Sequence, residues 1–244
     1  MKKIIEWLLS LFNSNNPKAQ DSSIVIKPIE PIQQIPAKKE IPDFHFVDTS
    51  HHHEDFDPKA YSYECKLLIN KCTQGISMVD STFQKRKELC KEYGIKYGGY
   101  HFYSCATNWK TQLDHYLKTH GEFEIAPILD YEQSGGNTLE QLKINLENAY
   151  KWMVEVKKIT GKAPILYIGY SLAKELNLPE KWKEFSPWFP RYSSKLGEIP
   201  KPWTEDDVMG WQFTEDGLFP GFKGGNDVNI YYGKNNKLNL VSGK

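Results

Sequence analysis

From Asp43 onward the chain alternates short apolar runs of strand character with stretches of helical spacing, and this alternation narrows the possible folds most. The strand-like runs are 44–47, 66–70, 97–103, 126–129, 165–168, 188–189, 208–213 and 228–230. Between the fourth and fifth runs, Leu139, Leu142, Leu146, Ala149, Met153 and Val156 recur at helical spacing. Thr138 and Gln141 open that helix as a capping box, Gly161 closes it, and Pro164 follows. Shorter helices are expected over 82–93, before Gly94, and over about 109–119, before Gly121. Strands that alternate with helices form a parallel sheet, and about eight such units close into a barrel. The last units lack room for long helices. The expected fold is therefore α/β: an irregular, TIM-like (β/α) barrel of parallel strands with a less helical C-terminal part.

Two segments precede this region. Residues 1–12 are apolar after Met1-Lys2-Lys3 and carry two readings. One is a signal peptide, against which stand Glu6 and the lack of a small-x-small cleavage site before Asp21. The other is an amphipathic helix, with Ile4, Ile5, Leu8, Leu9, Leu11 and Phe12 on one broad face, able to dock on a membrane surface or a larger assembly. The run is too short to span a bilayer. Residues 13–42 read as an extended linker, because Pro28, Pro31, Pro36 and Pro42 oppose helix and central strand. The barrel domain is expected over 43–233, with 234–244 as a tail.

Charge is balanced, 31 Lys and Arg against 31 Asp and Glu, so there is no basic footprint for nucleic acid. Cys65, Cys72, Cys90 and Cys105 form no CxxC pair, which argues against a zinc knuckle, and they are expected as free, mostly buried thiols.

The chemistry points to Ala126-Pro127-Ile128-Leu129-Asp130-Tyr131-Glu132, an apolar strand that ends in two acids. Side chains alternate along a strand, so Asp130 and Glu132 share a face. Like charge and desolvation both raise a carboxyl pKa, and an acid held protonated near neutrality can donate a proton in catalysis. In a parallel barrel the carboxyl ends of the strands meet at one mouth. Asp48 follows the first run, and Asp227 opens the last. Aromatic residues flank these acids. Tyr100, Tyr103, Tyr131, Tyr167, Trp188, Tyr192 and Trp211 are candidates to line a sugar groove, about half of them lining it and the rest core, and His101 is expected as a satisfied histidine of the core or of the groove's floor. An acidic, aromatic cleft fits carbohydrate hydrolysis, with no metal and no cofactor expected. His51-His52-His53 are consecutive and point in different directions, which argues against one shared ion.

These residues resemble the family-25 glycoside hydrolases, the muramidase type of lysozyme found among endolysins. The resemblance covers about residues 43–233 and rests on ordered pieces. They are Asp48-Thr49-Ser50, Lys71-Cys72-Thr73-Gln74-Gly75, Gly99-Tyr100-His101-Phe102, Leu129-Asp130-Tyr131-Glu132, Trp211-Gln212-Phe213-Thr214 and Asp227-Val228-Asn229. It implies cleavage of the β-1,4 bond between N-acetylmuramic acid and N-acetylglucosamine in peptidoglycan, with retention, at the bacterial cell wall. Glu132 would be the general acid and Asp130 the stabiliser of the charged sugar or of its 2-acetamido group. Asp48 and Asp227 would complete the acidic mouth. The family's Thr-Glu-Gly is here Thr73-Gln74-Gly75, which removes a negative charge near substrate, and the Gln-Gly after Asp-x-Ser is here His53-Glu54. The alternative reading is a non-catalytic wall-binding or assembly component on the same scaffold.

Overall fold

The computed structural model describes residues 43–53 and 55–240. The N-terminal segment, the linker, Glu54 and the last four residues of the expected tail lie outside the described residues.

The described chain runs β1 (Phe44–Thr49), α1 (Pro58–Glu64), β2 (Leu67–Gln74), β3 (Met78–Val79), α2 (Phe83–Glu92), β4 (Lys96–Phe102) and α3 (Trp109–His120). It continues β5 (Ile128–Tyr131), α4 (Leu139–Thr160), β6 (Ile165–Ile168), α5 (Tyr170–Leu176), β7 (Ser186–Pro190), β8 (Gly210–Gly217) and β9 (Asn226–Tyr231). The strand order is β1-β9-β8-β7-β6-β5-β4-β2-β3, and β1 also pairs with β2, so the sheet closes into a barrel with β3 as an outlying hairpin on β2. Short 3₁₀ turns replace long helices after α5, in keeping with the cramped spacing there.

One strand departs from the parallel expectation. β9 is antiparallel to both β1 and β8, whereas the other barrel pairs are parallel. The connection from β8 to β9 is too short for a crossover helix, so the chain folds back as a hairpin. This reversal places the start of β9, and with it Asp227, at the mouth where the other strands end.

Local chemistry accounts for the helices. Thr138 and Gln141 form both bonds of the capping box on α4, and Gly161 ends that helix in the left-handed conformation at φ 69°. The stripe Leu142, Ala149, Trp152, Met153 and Val156 is buried against the barrel. α1 escaped the sequence reading, although Asp57 caps it by accepting from Lys59 and Ala60 and Pro58 stands in its first turn. Gly98 and Gly99 let β4 pass close beneath its covering: a Cβ at Gly99 would lie 2.7 Å from both His120 and Phe83. Residues 234–240 do not trail away, since Leu238 and Leu240 are buried and the Ala126 N–H donates to the Leu238 carbonyl. Cys65, Cys72 and Cys90 are buried free thiols, and Cys105 is a half-buried one.

Candidate active site

Strand alternation sends Asp130 and Glu132 to the barrel's mouth and Tyr131 to the opposite face. Asp48, Tyr100, Asp130, Glu132, Tyr167, Trp188 and Asp227 line one cleft of about 100 Å³. Their strands are β1, β4, β5, β6, β7 and β9, so residues remote in sequence meet in one space. Asp48 stands directly opposite Asp227 in the antiparallel β1–β9 register.

Burial and mutual repulsion govern these acids. Desolvation, then the Glu132 charge, drives the Asp130 carboxyl well above the usual range. Asp130 Oδ1 has no hydrogen-bond partner among the described residues. Desolvation raises Glu132, and a bond from the Ser134 hydroxyl at 2.8 Å partly offsets it. Burial lifts Asp48 to about 7 against the pull of Asn229 and Gln212. Asp227 rises to about 8 through desolvation and the charges of Asp48, Glu215 and Glu132. Closely spaced carboxyls cannot all ionise together near neutrality, so the cleft holds protons there.

Several groups at the mouth were not singled out from sequence. Lys71 faces Asp130 and Glu132, lies 4.6 Å over the Phe102 ring, and donates to Gln74 Oε1 at 2.7 Å. Gln212 and Asn229 donate to Asp48 Oδ1 at 2.9 and 2.7 Å. Arg86 is buried and donates to the Ser50 and His53 carbonyls, which fixes the loop after β1. A polar residue two positions from a candidate acid on the same strand is the signal that could have found Asn229, two from Asp227; Gln212 lies on a strand with no candidate acid. Arg86 sits in an ordinary amphipathic helix and gives no such signal.

Three candidate sugar-binding residues face away from the cleft. His101 alternates with Tyr100 on β4 and is fully buried under α3 and α4, bonded to Thr73 and Gln112 and stacked on Trp152 at 5.7 Å. Its environment drives its pKa down to about 3, chiefly by desolvation, so the ring is neutral. Tyr131 is fully buried, and its hydroxyl donates to the Leu142 carbonyl of α4. Trp211 lies on the far face of β8 from Gln212, its indole N–H donating to the Arg191 carbonyl. Each is displaced by the same cause, the two-residue period of a strand. Tyr192 stands at the rim, 52% exposed, with its hydroxyl on Gln212. Gln74 is half-buried at the mouth beside Lys71. His51 bonds to buried Asp80, and the His52 ring lies tilted against that of His51, 4.1 Å between centroids.

The likeness to known proteins extends over most of the chain. The chain is 26% identical to the uncharacterized protein YegX of Escherichia coli K12 over 211 residues, which is 82% of this chain and 72% of that one. It is 23% identical to the autolytic lysozyme of Clostridium acetobutylicum over 168 residues, 68% of this chain and 48% of that one. The bacterial lysozyme of Streptomyces coelicolor superposes with a TM-score of 0.71 at 18% identity, across 81% of this chain and 98% of that one. The model of "Glycosyl hydrolases family 25" matches residues 47–222, which take in Asp48, Asp130 and Glu132 and end in the β8–β9 turn before Asp227, and the chain belongs to that family of glycoside hydrolases.

Proposed function

We propose that this chain is an N-acetylmuramidase that cuts the β-1,4 bond from N-acetylmuramic acid to N-acetylglucosamine in peptidoglycan, with retention. The observation that carries this reading is the convergence of Asp48, Asp130, Glu132 and Asp227 in one cleft walled by Tyr100, Tyr167 and Trp188. The lysozyme names among its relatives support it.

Glu132 is the general acid. Its carboxyl is raised by desolvation, so it holds a proton to a higher pH than a solvated glutamate and gives that proton to the leaving oxygen. As the bond breaks, the ring carbon gains positive charge, and the 2-acetamido oxygen of the substrate attacks it. Asp130, whose Oδ1 has no partner among the described residues, accepts the acetamido N–H, and in its ionised form steadies the positive charge of the cyclic intermediate. Water then opens the intermediate, giving its proton to Glu132. Two inversions at one carbon leave its configuration retained. Tyr100, Tyr167 and Trp188 offer faces to the sugars, and Tyr192 and Gln74 extend the contact at the rim. The enzyme acts at the bacterial cell wall, with residues 1–12 docking on a membrane or a larger assembly.

Mass spectrometry of peptidoglycan digests tests this. The expected fragments end in reducing N-acetylmuramic acid, and Glu132→Gln abolishes them at an unchanged melting temperature. Wall binding without fragments, or full clearing by Glu132→Gln, overturns the assignment.

A further inference from the structure

Asp48 and Asp227 oppose each other across β1 and β9, where paired Cβ atoms lie about 4.5–5.5 Å apart. Their surroundings differ. Two buried amides converge on Asp48 Oδ1, Gln212 Nε2 at 2.9 Å and Asn229 Nδ2 at 2.7 Å. Each amide is oriented from behind by an aromatic group. Trp188 Nε1 donates to Asn229 Oδ1 at 2.7 Å. An indole N–H only donates, so the Asn229 oxygen must face Trp188 and its NH₂ must face Asp48. The hydroxyls of Tyr167 and Tyr192 meet Gln212 Oε1 at 3.1 and 2.9 Å. These chains of donors end on one carboxyl oxygen, and donors favour its ionised form. Among the described residues no side-chain donor reaches the Asp227 carboxyl. It meets instead the charges of Asp48, Glu215 and Glu132.

We propose that Gln212 and Asn229 are positioning residues that keep Asp48 the ionised member of this pair, so that Asp227 carries the shared proton and presents an O–H to the substrate. The order of the two carboxyls, Asp48 near 7 and Asp227 near 8, agrees. The groups that act on the pair come from every wall: Tyr100 on β4, Asp130 and Glu132 from β5, Tyr167 on β6, Tyr192 after β7 and Glu215 on β8. Lys71 on β2 acts through Asp130 and Glu132. Delivery of the O–H to substrate rests on the reading of the cleft as the catalytic centre. The placing of the proton does not.

Carbon-13 titration of the aspartate carboxyls in the full chain tests this without substrate, with Asp48→Asn and Asp227→Asn used for assignment. As the pH falls, Asp227 takes a proton before Asp48. Gln212→Leu raises the Asp48 midpoint by about one pH unit or more, as loss of a bond to an ionised group implies. The same variant moves the acid limb of kcat/KM upward and lowers kcat more than it changes KM, which a merely structural role would not do. If Asp48 protonates first in the parent protein, the proposal fails whatever the variants do. An unmoved Asp48 midpoint in folded Gln212→Leu also overturns it. Neither result touches the muramidase reading, which stands on the digest.

Discussion

Lys71 reaches Gln74 on the same side of β2, Nζ to Oε1 at 2.7 Å, although residues three apart on a regular strand face opposite ways. A break in the β2–β4 register between Lys71 and Thr73 explains it. Buried Cys72 and Thr73 both turn toward the helices, Cys72 beneath Gly99 and Thr73 to His101, and the bulge returns Gln74 to the mouth. The lysine charge is thus met by a neutral amide and remains available to Asp130 and Glu132, both of which it pulls downward.

Gln74→Glu places a carboxylate on that lysine and adds negative charge to the mouth. Glu132 must be protonated to act, and added negative charge favours its protonated form. The alkaline limb of kcat/KM is expected to move up by about 0.5–1 pH unit. Rates of wall clearing between pH 5 and 9 measure it, and a downward shift contradicts the role given to Lys71.

The ends of β1 and β5 were legible because each couples an apolar run to an acid, in Phe46-Val47-Asp48 and Ile128-Leu129-Asp130. The direction of β9 was not, since a strand's pattern reads the same both ways; only the short β8–β9 connection carries that information. The convergence of Asp48 with Asp227 was therefore anticipated for an incomplete reason. His101, Tyr131 and Trp211 were drawn to the cleft by residue type, where the two-residue period from Tyr100, Asp130 and Gln212 turns them outward. The bulge that aims Gln74 has no local signature.

Asp227→Asn is expected to stabilise the fold in alkali and not in acid. A carboxyl raised to about 8 in the folded state binds a proton that the unfolded chain has already released. Its contribution is therefore full below about pH 4 and is lost as pH rises to 8. The asparagine variant escapes that loss. Urea unfolding should show near-equal stabilities at pH 4 and an advantage of roughly 1–3 kcal/mol for the variant at pH 8.5, allowing for solvent at this incompletely buried site. An advantage that grows toward acid instead contradicts the assignment.

His101→Leu should weaken the fold and spare substrate affinity. Thr73 and Gln112 lose a buried partner, at a cost of about 2–4 kcal/mol at pH 7. The parent histidine, lowered to about 3, destabilises the fold progressively as pH falls from 6.5, because the unfolded chain takes up a proton that the folded one refuses. The deficit of the variant therefore narrows at pH 4. Unfolding curves at both pH values, set beside KM at neutral pH, check both halves; a raised KM with unchanged stability would return His101 to the cleft.

Gly99→Ala tests how the site is held from behind. The added methyl would lie 2.7 Å from His120 Cδ2 and Phe83 Cε2 and 2.9 Å from Cys72 Cβ. All three neighbours are buried, so none can swing into solvent. His120 is also pinned by accepting the Gly99 N–H at 3.1 Å, so relief by its rotation breaks that bond. The expected loss is about 1–3 kcal/mol, enough to lower the melting temperature by roughly 2–10 °C for a domain of this size. Tyr100, the next residue, lines the cleft, and a shift of β4 away from α2 carries it along. The variant should therefore lose kcat/KM as well as stability, and a second change that makes room, Phe83→Leu, should restore part of both. Loss of stability with no loss of rate in Gly99→Ala would show instead that β4 holds Tyr100 in place independently of the helix packing behind it.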